Sequence, residues 1–145
     1  MQIAGYSDSG KTTVSELLVA QARGEGHVVG YIKHHDGLLE RPGSDTDLAG
    51  RAGAAQRWLA GSDGSCRIGP PDELGDLLVA AREAGCSFVV VEGFKGSPGA
   101  KCWLRRSPDD HPPQGVSEIA LDMESAEALA LGAEELLRRM PRREI

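Results

Sequence analysis

Gly5-Tyr6-Ser7-Asp8-Ser9-Gly10-Lys11-Thr12 satisfies the pattern GxxxxGK[ST] at every fixed position. Each residue type in it has a physical reason. Gly5 and Gly10 let the backbone bend so that successive N–H groups point inward at one phosphate. Lys11 neutralises the β- and γ-phosphates, and the Thr12 hydroxyl is placed to ligate Mg²⁺. A helix that starts near Lys11 aims its N-terminal dipole at the same anion. The letters alone also fit a glycine turn beside an exposed lysine. The surroundings decide between the two. Gln2 to Gly5 reads as a short strand, and Val14, Leu17, Leu18 and Gln21/Ala22 recur at helical spacing from Thr12 to Arg23, with Gly24 expected at its end. Gly5, Ser7, Ser9, Gly10, Lys11, Thr12 and Thr13 are therefore the candidate phosphate-binding residues.

Working outward, apolar runs alternate with helical patterns and no internal repeat is present. His27 to Lys33 reads as the second strand. Asp45 to Ala52 reads as a short helix with Asp45 as its N-cap. Gln56 to Gly61 reads as a third strand and Ser62 to Pro71 as turns. Asp72 to Ala84 is a helix with Leu74, Leu77, Leu78 and Ala81 on one face, ended by Gly85. Ser87 to Val91 is a continuous β-branched run, expected as a central strand buried on both faces. Lys101 to Arg105 is expected as an outer strand, Val116 to Leu121 as one more short strand, and Ser125 to Met140 as a last helix stopped by Pro141. The expectation is one domain over residues 1–145: an α/β, three-layer P-loop NTPase fold, mainly parallel, with helices on both faces of the sheet.

The chain has 145 residues, long enough to bury roughly 70% of its unfolded surface. No apolar run approaches the roughly 18 residues that a membrane span needs, and no basic segment followed by an apolar one marks a secretion signal. Asp+Glu 22 against Lys+Arg 16 gives a net charge of -6, which argues against a fold-wide nucleic-acid surface. Cys66, Cys86 and Cys102 are unpaired in number and far apart, which points to small buried hydrophobes in a reducing, cytoplasmic setting. The first strand is unusually short, a length compatible with a start that omits residues.

A second acidic element should meet the metal from the far side of the γ-phosphate. The buried run ends in Glu92-Gly93-Phe94-Lys95, which places a carboxylate at the edge of the sheet where open α/β folds bind ligands. Glu92 is the candidate metal and catalytic carboxylate, beside Lys11. Gly93 would let the backbone approach the γ-phosphate. Lys33-His34-His35-Asp36 follows the second strand on the same edge. Adjacent histidines on an extended chain point to opposite faces, so one His contacting phosphate, substrate or a partner is favoured over a zinc site. Asp45, on the next loop, is either a helix N-cap or a further metal ligand.

Taken together, GYSDSGKTT, YIKHH, RPGSDT followed by AGA, VVVEGFK and the K-x-x-x-R of Lys101 and Arg105 resemble the molybdopterin-guanine dinucleotide biosynthesis protein B (MobB) family from about Ile3 to Arg106. The resemblance implies a P-loop α/β protein that forms homodimers, binds GTP with Mg²⁺ and hydrolyses it slowly. It implies a role beside the molybdenum cofactor guanylyltransferase, which joins GMP to molybdopterin. Carried over by position, Gly10, Lys11, Thr12 and Thr13 would hold phosphate and metal. Glu92 and Gly93 would take the γ-phosphate side. His34, Asp45, Lys95, Lys101 and Arg105 would line the crevice for phosphate, pterin or partner.

The chain departs from the family pattern in particular places. Ser44 stands where PGKD[ST] carries Lys, no second His stands two or three residues after His34, and the stretch after Arg106 is compressed. No Asn-Lys-x-Asp tetrapeptide reads guanine, and no water-positioning Gln or arginine finger is evident; Arg41 or Arg51 of a second subunit is the nearest candidate for the finger. Two other readings keep the same P-loop: a small-metabolite kinase, and a non-catalytic scaffold with a vestigial nucleotide site.

Overall fold

The computed structural model describes residues 1–68, 72–105, 107, 109–113 and 116–121. Its strands are β1 (Gln2–Gly5), β2 (Val29–Lys33), β3 (Arg57–Gly61), β4 (Gly64–Ile68), β5 (Phe88–Glu92), β6 (Gly99–Leu104) and β7 (Val116–Leu121). Its described helices are α1 (Lys11–Gly24), α2 (Asp45–Arg51) and α3 (Leu74–Glu83). The helix expected over Ser125 to Met140 lies outside the described residues. The chain divides into two compact units, one of residues 1–34 and 74–145, the other of residues 35–73.

The first unit is built on a five-stranded sheet ordered β2-β5-β1-β6-β7, in which every pair is parallel. β1 is central. Its Ile3 and Ala4 are fully buried, as are Val90 of β5 and Cys102, Trp103 and Leu104 of β6. α1 lies against β1, β2 and β5, and sends Val14, Leu18 and Ala22 into that core. The face of α3 marked by Leu74, Leu77, Leu78 and Ala81 is the half-covered one, as its spacing predicts.

Four expectations need correction here. α1 runs through Gly24, and its left-handed stop is Gly26, at φ +88°; either glycine satisfies the pattern, and the last backbone bonds (Gly26 to Arg23, His27 to Ala22) choose the later one. β6 is an inner strand, held between β1 and β7, not an outer one. α2 is capped by Ser44, not Asp45: the Ser44 hydroxyl accepts from the Asp47 N–H at 3.3 Å. Cys66 is exposed on β4, so only Cys102 is a buried core thiol.

The second unit carries α2 and an antiparallel hairpin, β3 with β4, joined through Ser62 and Asp63. The β4 half falls where the sequence reads as turns. Gly64-Ser65-Cys66-Arg67 is exposed on both sides, so backbone pairing forms this strand without any alternation of apolar residues. Arg57 grips Glu40 in a two-pronged pair, at 2.5 and 3.2 Å, beside Gly50.

Candidate nucleotide site

The loop after β1 is shaped by its glycines. At Gly5 a Cβ would lie 2.6 Å from the Leu104 carbonyl oxygen of β6 and 2.6 Å from the Ser9 Oγ, so only glycine allows this approach. Asp8 (φ +61°) and Gly10 (φ +80°) are both left-handed, with Gly10 as the N-cap of α1. Alternating left- and right-handed residues turn successive N–H groups to one side, the geometry that holds an anion. Ser7, Thr12 and Thr13 are exposed around this loop. Ser9 is not: its hydroxyl is buried under Gly5 with no hydrogen-bond partner among the described residues. Its side chain therefore faces the loop's interior.

The Lys11 ammonium reaches back over the loop to the Tyr6 carbonyl oxygen at 2.5 Å. Burial holds its pKa below the ordinary lysine range. The charges of Lys95 and Lys33 push the same way, against Glu92 and Asp8. Three lysines from three segments thus stand against two carboxylates, Glu92 and Asp8, which leaves an excess of positive charge around Lys11.

Glu92 ends β5 and is 4% exposed. The Thr12 hydroxyl donates to its Oε1 at 3.3 Å, Lys33 Nζ stands 3.1 Å from the same oxygen, and the Tyr31 hydroxyl donates to Oε2 at 2.5 Å. Burial alone would push the carboxyl up. The bonds from Tyr31, Lys33 and Thr12, with the charge of Lys33, outweigh it and hold Glu92 below the usual carboxylate range. As pH falls, the unfolded chain then takes up this proton before the folded one, so the stabilisation is present above the ordinary carboxylate pKa and is lost as pH falls through the depressed one. The gap in melting temperature between wild type and Glu92→Gln is expected to be full at neutral pH and to close in acid. A gap independent of pH would show that the charge of Glu92 does not act this way.

The sequence alone gives Tyr31 and Lys33 no role. They sit two apart on β2, hence on one face, and Lys33 is in register with Glu92. The parity is legible in the sequence; the β2–β5 pairing is not.

Gly93, at φ +96°, carries the chain out of the sheet past His34: a Cβ there would lie 2.9 Å from the His34 Cβ. Its N–H is committed to the Ile3 carbonyl oxygen at 2.9 Å, so what this position offers a ligand is its lack of a side chain. His34 takes the Glu92 carbonyl oxygen on its own N–H, and its ring tilts over Phe94 at 4.7 Å. Lys95 stands over the Tyr6 ring at 5.8 Å. These residues come together around the loop.

Others do not. Lys101 is fully buried, its ammonium bonded to the Gln2 Oε1 (3.3 Å), the Ser97 hydroxyl (3.1 Å) and the Ser97 carbonyl oxygen. Gln2 in turn donates to the carbonyl oxygens of Gly93 and Phe94. Lys101 thus fastens the loop after Glu92 from beneath rather than facing the crevice. Arg105 follows β6, half-buried. Asp45 opens α2 in the second unit, where Arg51 pairs with Asp47 at 3.0 Å.

Residues 1–123 match the family model described as molybdopterin guanine dinucleotide synthesis protein B. The molybdopterin-guanine dinucleotide biosynthesis adapter protein of Escherichia coli is 33% identical over 129 residues, spanning 84% of this chain and 72% of that protein. The adapter protein of the same name from Haemophilus influenzae is 32% identical over 124 residues, spanning 82% and 70%. The crystal structure of a MobB homologue from Bacillus stearothermophilus is similar with a TM-score of 0.60 at 26% identity, over 95% of this chain and 97% of that one. Bacillus subtilis MobB is similar in fold, with a TM-score of 0.67 at 20% identity over 98% of each chain. With a P-loop after the central strand, a buried glutamate opposite it and a family match over most of its length, this chain belongs to the molybdopterin guanine dinucleotide synthesis protein B family.

Proposed function

We propose that this chain is a GTP-binding adapter in the attachment of GMP to molybdopterin, working beside the molybdenum cofactor guanylyltransferase, as a cytoplasmic homodimer. The observation that carries the nucleotide reading is the Thr12–Glu92 bond: a hydroxyl from the first turn of α1 meets an ionised, buried carboxylate from the end of β5. Two hard oxygen donors 3.3 Å apart, beside a phosphate-binding loop, suit Mg²⁺, which takes one or two protein oxygens and completes its shell with phosphate and water. Thr12 and Glu92 would hold the ion, and its chemistry would be neutralisation of charge between the β- and γ-phosphates.

The chain's own residues supply the rest of the reading. Lys11, Lys33 and Lys95 balance the triphosphate, and the loop amides from Ser7 to Thr13 cradle it. Any hydrolysis is positioning and charge stabilisation by Lys11 and Glu92, and turnover is slow, since an arginine finger is worth about 10³–10⁵ in rate. The names of the relatives support the adapter role, and the family resemblance supports GTP, molybdopterin and the homodimer. Among the described residues no helix is long and apolar enough to cross a membrane.

The test is displacement of a fluorescent triphosphate in Mg²⁺ by unlabelled GTP and ATP. GTP is expected to compete at least about tenfold better, a difference of about 1.4 kcal/mol. Equal competition would move the reading to an unselective NTPase or a kinase. No binding at all would favour a scaffold with a vestigial site.

A further inference from the structure

Among the described residues the Glu92 carboxylate has three partners, two on one oxygen and one on the other. Oε1 meets the Thr12 hydroxyl at 3.3 Å and the Lys33 ammonium at 3.1 Å, and Oε2 takes the Tyr31 hydroxyl at 2.5 Å. A carboxylate oxygen has two acceptor positions, so both of those on Oε1 are in use. The two donors on Oε1 differ in what they leave free. Thr12 gives its proton to Glu92 and keeps its own lone pairs, so it can stay while its oxygen serves as a ligand. Lys33 has only protons to offer, and its ammonium is a cation standing where a metal-binding carboxylate would meet one.

We propose that Lys33 is the resident counter-ion of Glu92, which gives up its place at Oε1 when Mg²⁺ and triphosphate bind, and so couples the two binding events. The proposal rests on the reading of Thr12 and Glu92 as the metal-holding pair. The geometry suits an exchange. The backbone of Lys33 is fixed, in register with Glu92 in the β2–β5 ladder. Its side chain is 47% exposed, while that of Glu92 is 5% exposed. The ammonium can therefore swing to solvent or to a phosphate oxygen on its flexible stem without backbone movement, and the carboxylate cannot follow. Tyr31 holds Oε2 and keeps Oε1 aimed at Thr12. The alternative counter-ion, Lys11, is bonded to the Tyr6 carbonyl oxygen.

The exchange keeps charge matched at each stage. Without metal, Lys33 neutralises a carboxylate that burial makes costly to leave alone. With metal and triphosphate, the released ammonium meets part of the added negative charge. Removing it leaves a buried carboxylate short of its cation, so the site should take Mg²⁺ more readily.

The experiment measures binding of fluorescent GTP at a series of buffered free Mg²⁺ concentrations, with EDTA as the zero point. The proteins are wild type, Lys33→Met, Lys33→Arg and Glu92→Gln, each with a thermal melt. The free Mg²⁺ needed for half the effect is expected to fall about fivefold or more in Lys33→Met, the lower end of ordinary coupling between two ligands. Lys33→Arg, which keeps the charge, should stay near wild type, and Glu92→Gln should weaken the Mg²⁺ dependence. An unchanged or raised Mg²⁺ requirement in Lys33→Met, with Glu92→Gln affected, would overturn the counter-ion role alone. A wild-type Mg²⁺ dependence in Glu92→Gln, or no Mg²⁺-dependent binding by wild type, would overturn the metal-holding pair and this proposal with it. Should Lys33→Met melt well below wild type, loss of the Mg²⁺ dependence in Lys33→Arg would overturn the role equally.

Discussion

Replacing Lys11 with alanine is expected to remove triphosphate binding from ordinary titration ranges while leaving the fold intact. The two effects separate because of where the side chain lies. Lys11 is the first residue of α1, and its ammonium bonds only the exposed Tyr6 carbonyl oxygen of the same loop among the described contacts. Alanine is a good helix former, so α1 has no reason to fray, and the melting temperature should stay close to wild type. The ligand loses much more. A hydrogen bond to a charged partner is worth about 1.5–3 kcal/mol, and here one cation faces two phosphates whose repulsion it relieves. Two such contacts correspond to a loss of affinity on the order of a hundredfold or more. On this reading Lys33 and Lys95 already serve the triphosphate in the wild type, so neither is a spare cation that could take the place of Lys11. The measurement is the same fluorescent-triphosphate titration, with a melt as control. Unchanged affinity would sink the P-loop assignment.

That prediction was available from the sequence, because the loop is contiguous: glycines, lysine and threonine lie within eight residues, and local geometry brings them together. Glu92 was also legible, since a buried strand announces itself as Phe88-Val89-Val90-Val91 and a charge at its end has only the sheet edge to occupy. The partners of Glu92 were not. Tyr31 and Lys33 meet it only because β2 lies beside β5, a neighbour more than fifty positions further along the chain. Strand order was equally hidden at β6. Lys101 interrupts its apolar run and gives it the look of a strand at the rim. In the fold that lysine is buried, with Gln2 and Ser97 providing the acceptors that solvent would otherwise supply. The β3–β4 hairpin was half-missed for the opposite reason: both faces of β4 are exposed, so no burial pattern was written into it. The Ser44 departure from the family pattern acquires a local role, since a serine caps α2 where a lysine has no oxygen to offer.

The inner position of β6 gives the second large prediction. Trp103 is fully buried between β1 and β7, in register with Ala4 and Ala120. The small Ala4 on β1 leaves room for the indole. Its ring meets the Tyr6 ring edge-on at 5.5 Å, and its Nε1 donates to the Asp110 carbonyl oxygen at 3.1 Å. One side chain thus supports the core, the second residue of the P-loop and the loop after β6. Trp103→Ala is expected to cost about 3–5 kcal/mol, the usual range for truncating a buried aromatic. Against the 5–15 kcal/mol typical of a whole domain, this brings the protein close to unfolding in chemical denaturation. Trp103→Phe keeps an aromatic edge for Tyr6 and most of the apolar area, and loses the bond to Asp110. It should remain folded, with a smaller loss, nearer the roughly 0.5–1.5 kcal/mol net worth of one hydrogen bond. The pair of variants separates packing from the hydrogen bond. If Trp103→Ala unfolds at the same denaturant midpoint as wild type, β6 is not the inner strand on which Tyr6 and the phosphate loop rest.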